Sequence, residues 1–156
     1  MKVHKLEELW LIIGVVIIGL AIAITGYQAF AKEMAPPSHI ETIDSTKVSE
    51  TPPFNKPGLK KIGDNEYEAV MTLEAFKFEP QKLEVPKGAK VTFKLTSKDV
   101  VHGINIPNTN VNTMVVPGHI QTITQTFKKS NRFIMICNEY CGTGHDTMSM
   151  QIVVKE

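Results

Sequence analysis

Between positions 137 and 148 the chain reads CNEYCGTGHDTM, which gathers Cys137, Glu139, Cys141, His145 and Met148 in one short stretch and includes both cysteines of the protein. Thiolate, imidazole and thioether together are the donors of soft-metal chemistry. Four arrangements use them. A disulfide between Cys137 and Cys141 suits the oxidising outer face of a membrane but gives His145 and Met148 no role. A zinc site takes four N, S or O ligands, and Cys137, Cys141, His145 and one distant histidine would supply them, with Met148 as a core residue. A mononuclear blue-copper site takes one Cys, two His and a weak Met, and leaves one cysteine idle. Two copper ions bridged by both thiolates use every donor, provided that a second imidazole comes from elsewhere in the chain.

The other histidines are His4, His39, His102 and His119. His4 precedes an apolar run, His39 lies in a Pro-rich linker and His119 opens a strand after Pro117-Gly118. His102 is the best candidate. It stands at the end of a strand in Asp99-Val100-Val101-His102-Gly103-Ile104, and Gly103 permits a close backbone approach.

Something must hold these residues, and the chain divides readily. Its 156 residues are 42% hydrophobic, enough for one domain of ordinary size. Much of the apolar content lies in LWLIIGVVIIGLAIAITGYQAFA, residues 9–31, which carries no charge and is long enough to span a bilayer. Ala29-Phe30-Ala31 has the small-x-small form of a signal-peptide cleavage site. The run nevertheless exceeds the usual apolar core of roughly 7–15 residues, and Glu7 and Glu8 spoil a basic leader, so a retained anchor is expected. Lys2 and Lys5 precede the run, while Lys32 after it is balanced by Glu33. The positive-inside rule then puts residues 1–8 in the cytoplasm and the remainder on the outer, periplasmic or extracellular, face of the cell membrane as a single-pass protein.

Residues 32–65 hold Pro36-Pro37, Pro52-Pro53 and Pro57-Gly58 among Ser, Thr, Lys and Glu, with no sustained period, and read as a linker along the membrane surface. From Glu66 to Glu156 the pattern is of strands. Tyr67–Leu73, Lys82–Val85, Val91–Thr96, His119–Phe127, Phe133–Cys137 and Met150–Val154 are β-rich, separated by Pro- and Gly-containing turns at sandwich spacing. The expected domain is all-β, two sheets face to face, with the ligand-rich loop joining its last two strands at one end.

The motif Cys-x-Glu-x-Cys-x-x-x-His-x-x-Met, from Cys137 to Met148, resembles position by position that of the copper-A domain of subunit II of haem-copper cytochrome c oxidases. Asp99-Val100-Val101-His102, Ile106-Pro107 and Val116-Pro117-Gly118 look like the family's upstream segments. The resemblance implies a cupredoxin-like Greek-key β-sandwich behind a transmembrane helix. It also implies that Cys137 and Cys141 bridge two copper ions, that His102 and Met148 complete one of them, and that His145 and the backbone carbonyl of Glu139 complete the other. Electrons would come from cytochrome c and pass to haem in subunit I, where O2 is reduced to water, so no residue of this chain is assigned a catalytic role. A magnesium ion at the Glu139 side chain, against subunit I, is a further implication of long-form members; no nucleic-acid partner is implied.

Two departures stand out. A single span resembles the short subunit II of B-type oxidases, and the family's tryptophan-rich run is missing, with Phe76-Lys77-Phe78 in a similar place and the one tryptophan, Trp10, in the anchor. A membrane-tethered copper-A electron carrier, the copper-A module of a nitric oxide reductase and a copper chaperone are the alternative functions at this point.

Overall fold

The computed structural model of the chain describes residues 4–31 and 41–156. Lys2, Lys32, Glu33, Pro36-Pro37 and His39, which enter the reading of orientation and linker, fall outside the described residues.

The apolar run forms helix α1, Lys5–Ala31. A segment crossing lipid must satisfy its backbone hydrogen bonds internally, which a helix free of proline does. It starts one turn earlier than the uncharged run. Glu7 and Glu8 fall in that first turn, where the positive end of the helix dipole favours carboxylates, and Glu7 accepts a hydrogen bond from the His4 N–H at 3.0 Å. At about 1.5 Å per residue, its 27 residues extend roughly 40 Å, longer than the hydrocarbon core of about 30 Å. No side chain of α1 is buried within the chain.

The second unit is built from strands β1 (Gly58–Gly63), β2 (Glu66–Glu74), β3 (Lys77–Glu79), β4 (Lys82–Pro86), β5 (Lys90–Ser97), β6 (His102–Asn105), β7 (Asn112–Val115), β8 (Gln121–Thr126), β9 (Asn131–Ile136) and β10 (Ser149–Lys155). They make two five-stranded sheets. One has the order β1-β2-β5-β8 with β3 on β2, the other β4-β10-β9-β6-β7. The pairs β2–β5 and β10–β4 are parallel and the rest antiparallel. Inward residues of both sheets form one core, including Phe78, Phe93, Phe127, Leu95, Ile104 and Ile152; each contributes about 1.5–3 kcal/mol on burial. Alternation holds in β8, where Gln121 and Ile123 are buried and Thr122 and Thr124 are partly exposed. The Thr124 hydroxyl meets that of Thr92 across the ladder at 3.1 Å.

Each expected strand is present, with ends shifted by a few residues: β8 begins at Gln121 rather than His119, which instead bridges Thr42. Strands β1, β3 and β7 were not expected, and β6 starts at His102, which was expected at the end of a strand. All four have three to six residues and carry Gly, Lys or Asn, so they show too few alternations to be recognised by period.

The linker reading over 32–65 needs correction in its described part. Residues from Glu41 onward pack against the domain: Val48 and Phe54 are buried with Val70 and Ile120, and Ile43 joins them. The Ile120 N–H donates to the Glu41 carbonyl at 2.8 Å and the Ile43 N–H to the Gly118 carbonyl at 3.0 Å. β1 adds to the sheet edge. This stretch runs through turns, so its three apolar side chains follow no period, and the patch that they cover comes from strands distant in sequence.

Candidate metal centre

The ligand-rich loop is closed at its base by strand pairing. Ser149 on β10 stands opposite Ile136 on β9, and the Cys137 N–H donates to the Met148 carbonyl at 3.1 Å. Inside, His145 N–H bonds the Gly142 carbonyl at 3.1 Å, and residues His145–Thr147 form one short 3-10 turn. That turn brings His145 and Met148 back over the cysteines.

The two sulfurs lie 3.9 Å apart. A disulfide bond is about 2.05 Å, so both cysteines are free thiols. His102, at the start of β6, directs Nδ1 at the Cys137 sulfur at 3.9 Å. The Glu139 carbonyl oxygen is 3.2 Å from the same sulfur. On the other side, His145 Nδ1 is 3.6 Å and Met148 Sδ 3.7 Å from the Cys141 sulfur. Ligand atoms of His102, Cys137 and Cys141 fall within 4.8 Å of one another, the one such His/Cys/Asp/Glu group among the described residues. His102 is fully buried and Cys137, Cys141 and Met148 nearly so, whereas His145 is half-exposed. The Glu139 side chain and Tyr140 are exposed. His119 sits elsewhere, on the exposed rim of a surface hollow with Met114, Val116 and Gln121, and His4 lies at the head of α1.

Burial, and then the neighbouring Cys137 thiol, push the Cys141 thiol up; the Phe76 backbone N–H works against this as a donor to the sulfur. Metal binding overrides such a shift, since a coordinated thiol is deprotonated outright. The sulfur separation is shorter than two metal–thiolate bonds of about 2.3 Å laid end to end. One ion can therefore touch both sulfurs. Two imidazole nitrogens, a thioether and a carbonyl ring the pair, a soft donor set that fits copper.

Sequence reasoning did not assign a partner to His102. Asp99 Oδ1 lies 2.9 Å from His102 Nε2, and Asp99 also accepts hydrogen bonds from the N–H groups of Val100 at 2.7 Å and Ala75 at 2.6 Å. Burial opposes its charge, but the His102 ring and these two N–H groups outweigh burial and hold the carboxyl below its ordinary range. An aspartate three residues before a histidine was the available signal. Gly103 is required by space: a Cβ there would stand 2.2 Å from Asn138 Oδ1 and 2.9 Å from Glu139 Cγ.

Known proteins resemble this chain over most of its length. The family profile described as cytochrome c oxidase subunit II, periplasmic domain, matches residues 67–156. The chain belongs to the cytochrome c oxidase subunit II family. A cytochrome c oxidase subunit 2 of Thermus thermophilus is 36% identical over 163 residues, covering 99% of this chain and 97% of that one. Another Thermus thermophilus subunit 2 is 41% identical over 123 residues, covering 78% and 91%. Among solved structures, a chain in the cryo-EM structure of a haem-copper terminal oxidase dimer superposes with a TM-score of 0.79 at 27% identity, covering 97% of this chain and all of that one. As a subunit II, the chain is a component of a haem-copper oxidoreductase complex that includes a subunit I, and its β domain has a cupredoxin-like fold.

Proposed function

We propose that this subunit holds a binuclear copper-A centre through His102, Cys137, the carbonyl of Glu139, Cys141, His145 and Met148, and accepts electrons there from cytochrome c for delivery to haem in subunit I. The observation that carries the reading is the convergence of both free sulfurs, two imidazole nitrogens and a thioether at one end of the sandwich. When bound, the copper pair supplies a one-electron relay.

The protein's part is to keep that relay rigid and dry. Cys137 and Met148 are locked by the β9–β10 ladder and His102 by Asp99, so ligand movement during electron transfer is small. Burial of His102 and Met148 excludes water from one side. His145, half-exposed beside the Tyr140 ring at 6.0 Å, faces the side from which a donor can approach. A magnesium ion at the exposed Glu139 carboxylate would take its remaining ligands from subunit I.

The β domain is assigned to the outer face of the membrane, a reading supported by the periplasmic family description and by Lys5 ahead of the span. Asp64→Cys, in the exposed turn between β1 and β2, is expected to react with a membrane-impermeant thiol reagent in intact cells. Reaction only after permeabilisation reverses the topology.

The centre itself is tested with the full chain in detergent, reconstituted with copper. Two copper ions per chain and a purple thiolate-to-copper absorption are expected, and Cys137→Ser or Cys141→Ser removes both. Uptake of a single copper with a blue spectrum, or a preference for zinc, overturns the assignment.

A further inference from the structure

We infer that the Ala75-Phe76 turn between β2 and β3 is a positioning element of the metal centre, holding the Cys141 loop through the Phe76 ring and the His102 imidazole through Asp99.

The turn is short, since Glu74 pairs directly with Lys77. Phe76 has φ +68°, a left-handed conformation that a bulky aromatic side chain rarely adopts and that persists where surrounding contacts over-determine it. Those contacts are present on both sides. Behind the turn, the Ala75 N–H donates to Asp99 Oδ2 at 2.6 Å, and the other oxygen of the same carboxylate binds His102 Nε2 at 2.9 Å. In front, the Phe76 ring lies on the ligand loop. A Cβ built on Gly144 would stand 2.7 Å from Phe76 Cγ, and one on Gly142 would stand 3.1 Å from Phe76 Cε1.

The two glycines differ in an informative way. Gly142 has φ +130°, so its backbone alone favours glycine. Gly144 has φ −101°, open to any residue; its missing side chain makes room for the ring. Thus one turn of the first sheet reaches a histidine carried by the second sheet, through Asp99, and the loop that carries Cys141, through the Phe76 ring.

The metal-loaded part of the test rests on the copper assignment above; the metal-free part does not. The full chain in detergent is compared with Phe76→Gly, which deletes the ring and relaxes the positive φ, Phe76→Tyr, which keeps a ring, and Gly144→Ala, which pushes the ring from the other side. In the metal-free chain, alkylation of Cys141 by iodoacetamide relative to Cys137, resolved by mass spectrometry, is expected to rise several-fold in Phe76→Gly and Gly144→Ala and to stay at the parent value in Phe76→Tyr. After copper loading, release to a chelator is expected to be about tenfold faster in the same two variants, with a shifted reduction potential. Parent-like alkylation and release in Phe76→Gly, or a Tyr variant as impaired as the Gly variant, overturns the inference. If Phe76→Gly does not fold, Gly144→Ala decides alone on the same two measurements. A parent chain that binds no copper pair overturns the functional assignment instead, and alkylation then decides the role of the turn.

Discussion

Asp99 Oδ1 and His102 Nε2 lie 2.9 Å apart, and this contact sets which nitrogen of the ring faces the cysteines. With Asp99 held ionised, its carboxylate only accepts, so Nε2 is the nitrogen that donates to it and Nδ1 is the one directed at the Cys137 sulfur.

Asp99→Leu removes both that orientation and the acceptor for the Ala75 N–H. Copper affinity of the full chain, measured by competition with a chelator, is expected to fall about 10–100-fold. Asp99→Asn, which can still accept from one donor, falls less. Parent-like affinity in Asp99→Leu would show that the carboxylate does not position the ligand.

Met148 is buried and its sulfur is 3.7 Å from the Cys141 sulfur. Exchange of Met for Leu preserves volume and costs less than about 1.5 kcal/mol. Met148→Leu is therefore expected to retain both copper ions while its reduction potential moves, because a weak axial thioether tunes a site more than it binds. Voltammetry with a copper count checks both halves, and loss of one ion contradicts the weak-ligand role.

Gly103→Ala forces a methyl group against Asn138 and Glu139, at 2.2 Å and 2.9 Å from the nearest atoms. Overpacking of this kind costs about 1–3 kcal/mol. Denaturation of the metal-free chain measures this without the metal's contribution, and unchanged stability would mean that the 138–139 backbone yields freely.

Glu84 on β4 makes ion pairs with Lys155 on β10 and with Lys82, and these hold its carboxyl at about 2, against an ordinary 4.5. A depressed folded-state value means that the stabilisation is complete above the unfolded value and disappears as pH falls toward 2. All three side chains are exposed, so the effect is small and weakens with salt. Glu84→Gln is expected to lower the urea midpoint slightly at pH 7 and to match the parent near pH 2. A gap that persists at pH 2 assigns the effect to something other than the charge.

Lys and Arg nearly balance Asp and Glu between Glu66 and Glu156, while Val100, Met114, Val116 and Tyr140 are exposed apolar side chains in or beside the segments that carry His102 and the ligand loop. A donor would then dock mainly through apolar contact. Stopped-flow reduction of the copper-loaded chain by a cytochrome c is expected to change little between 0.01 and 0.1 M salt, although the Debye length falls from about 30 to 10 Å. A fall in rate of about tenfold would reveal steering by local charge.

Several features were legible in the residue order because they are encoded locally. An uncharged apolar run makes α1, alternation makes the longer strands, and the crowding of Cys137, Cys141, His145 and Met148 marks a loop rich in metal donors, since neighbours in sequence stay neighbours in space when β9 and β10 pair at its base. His102 was harder, because nothing local ties it to a loop thirty-five residues away; its setting before Gly103 made it the best candidate among the histidines, and strand β6 carries its ring to Cys137.

Tertiary structure alone decided the rest. Val48 and Phe54 read as linker residues until Val70 and Ile120, brought together by sheet pairing, offer a surface to bury them. Phe76 stands out in the sequence only as part of Phe76-Lys77-Phe78, in a place similar to the family's tryptophan-rich run, yet a positive φ turns its ring onto Gly142 and Gly144, and Asp99 links its turn to His102. Such contacts join residues far apart in the chain, and their free energy appears only once the sheets have packed, so no periodicity or spacing in the sequence records them.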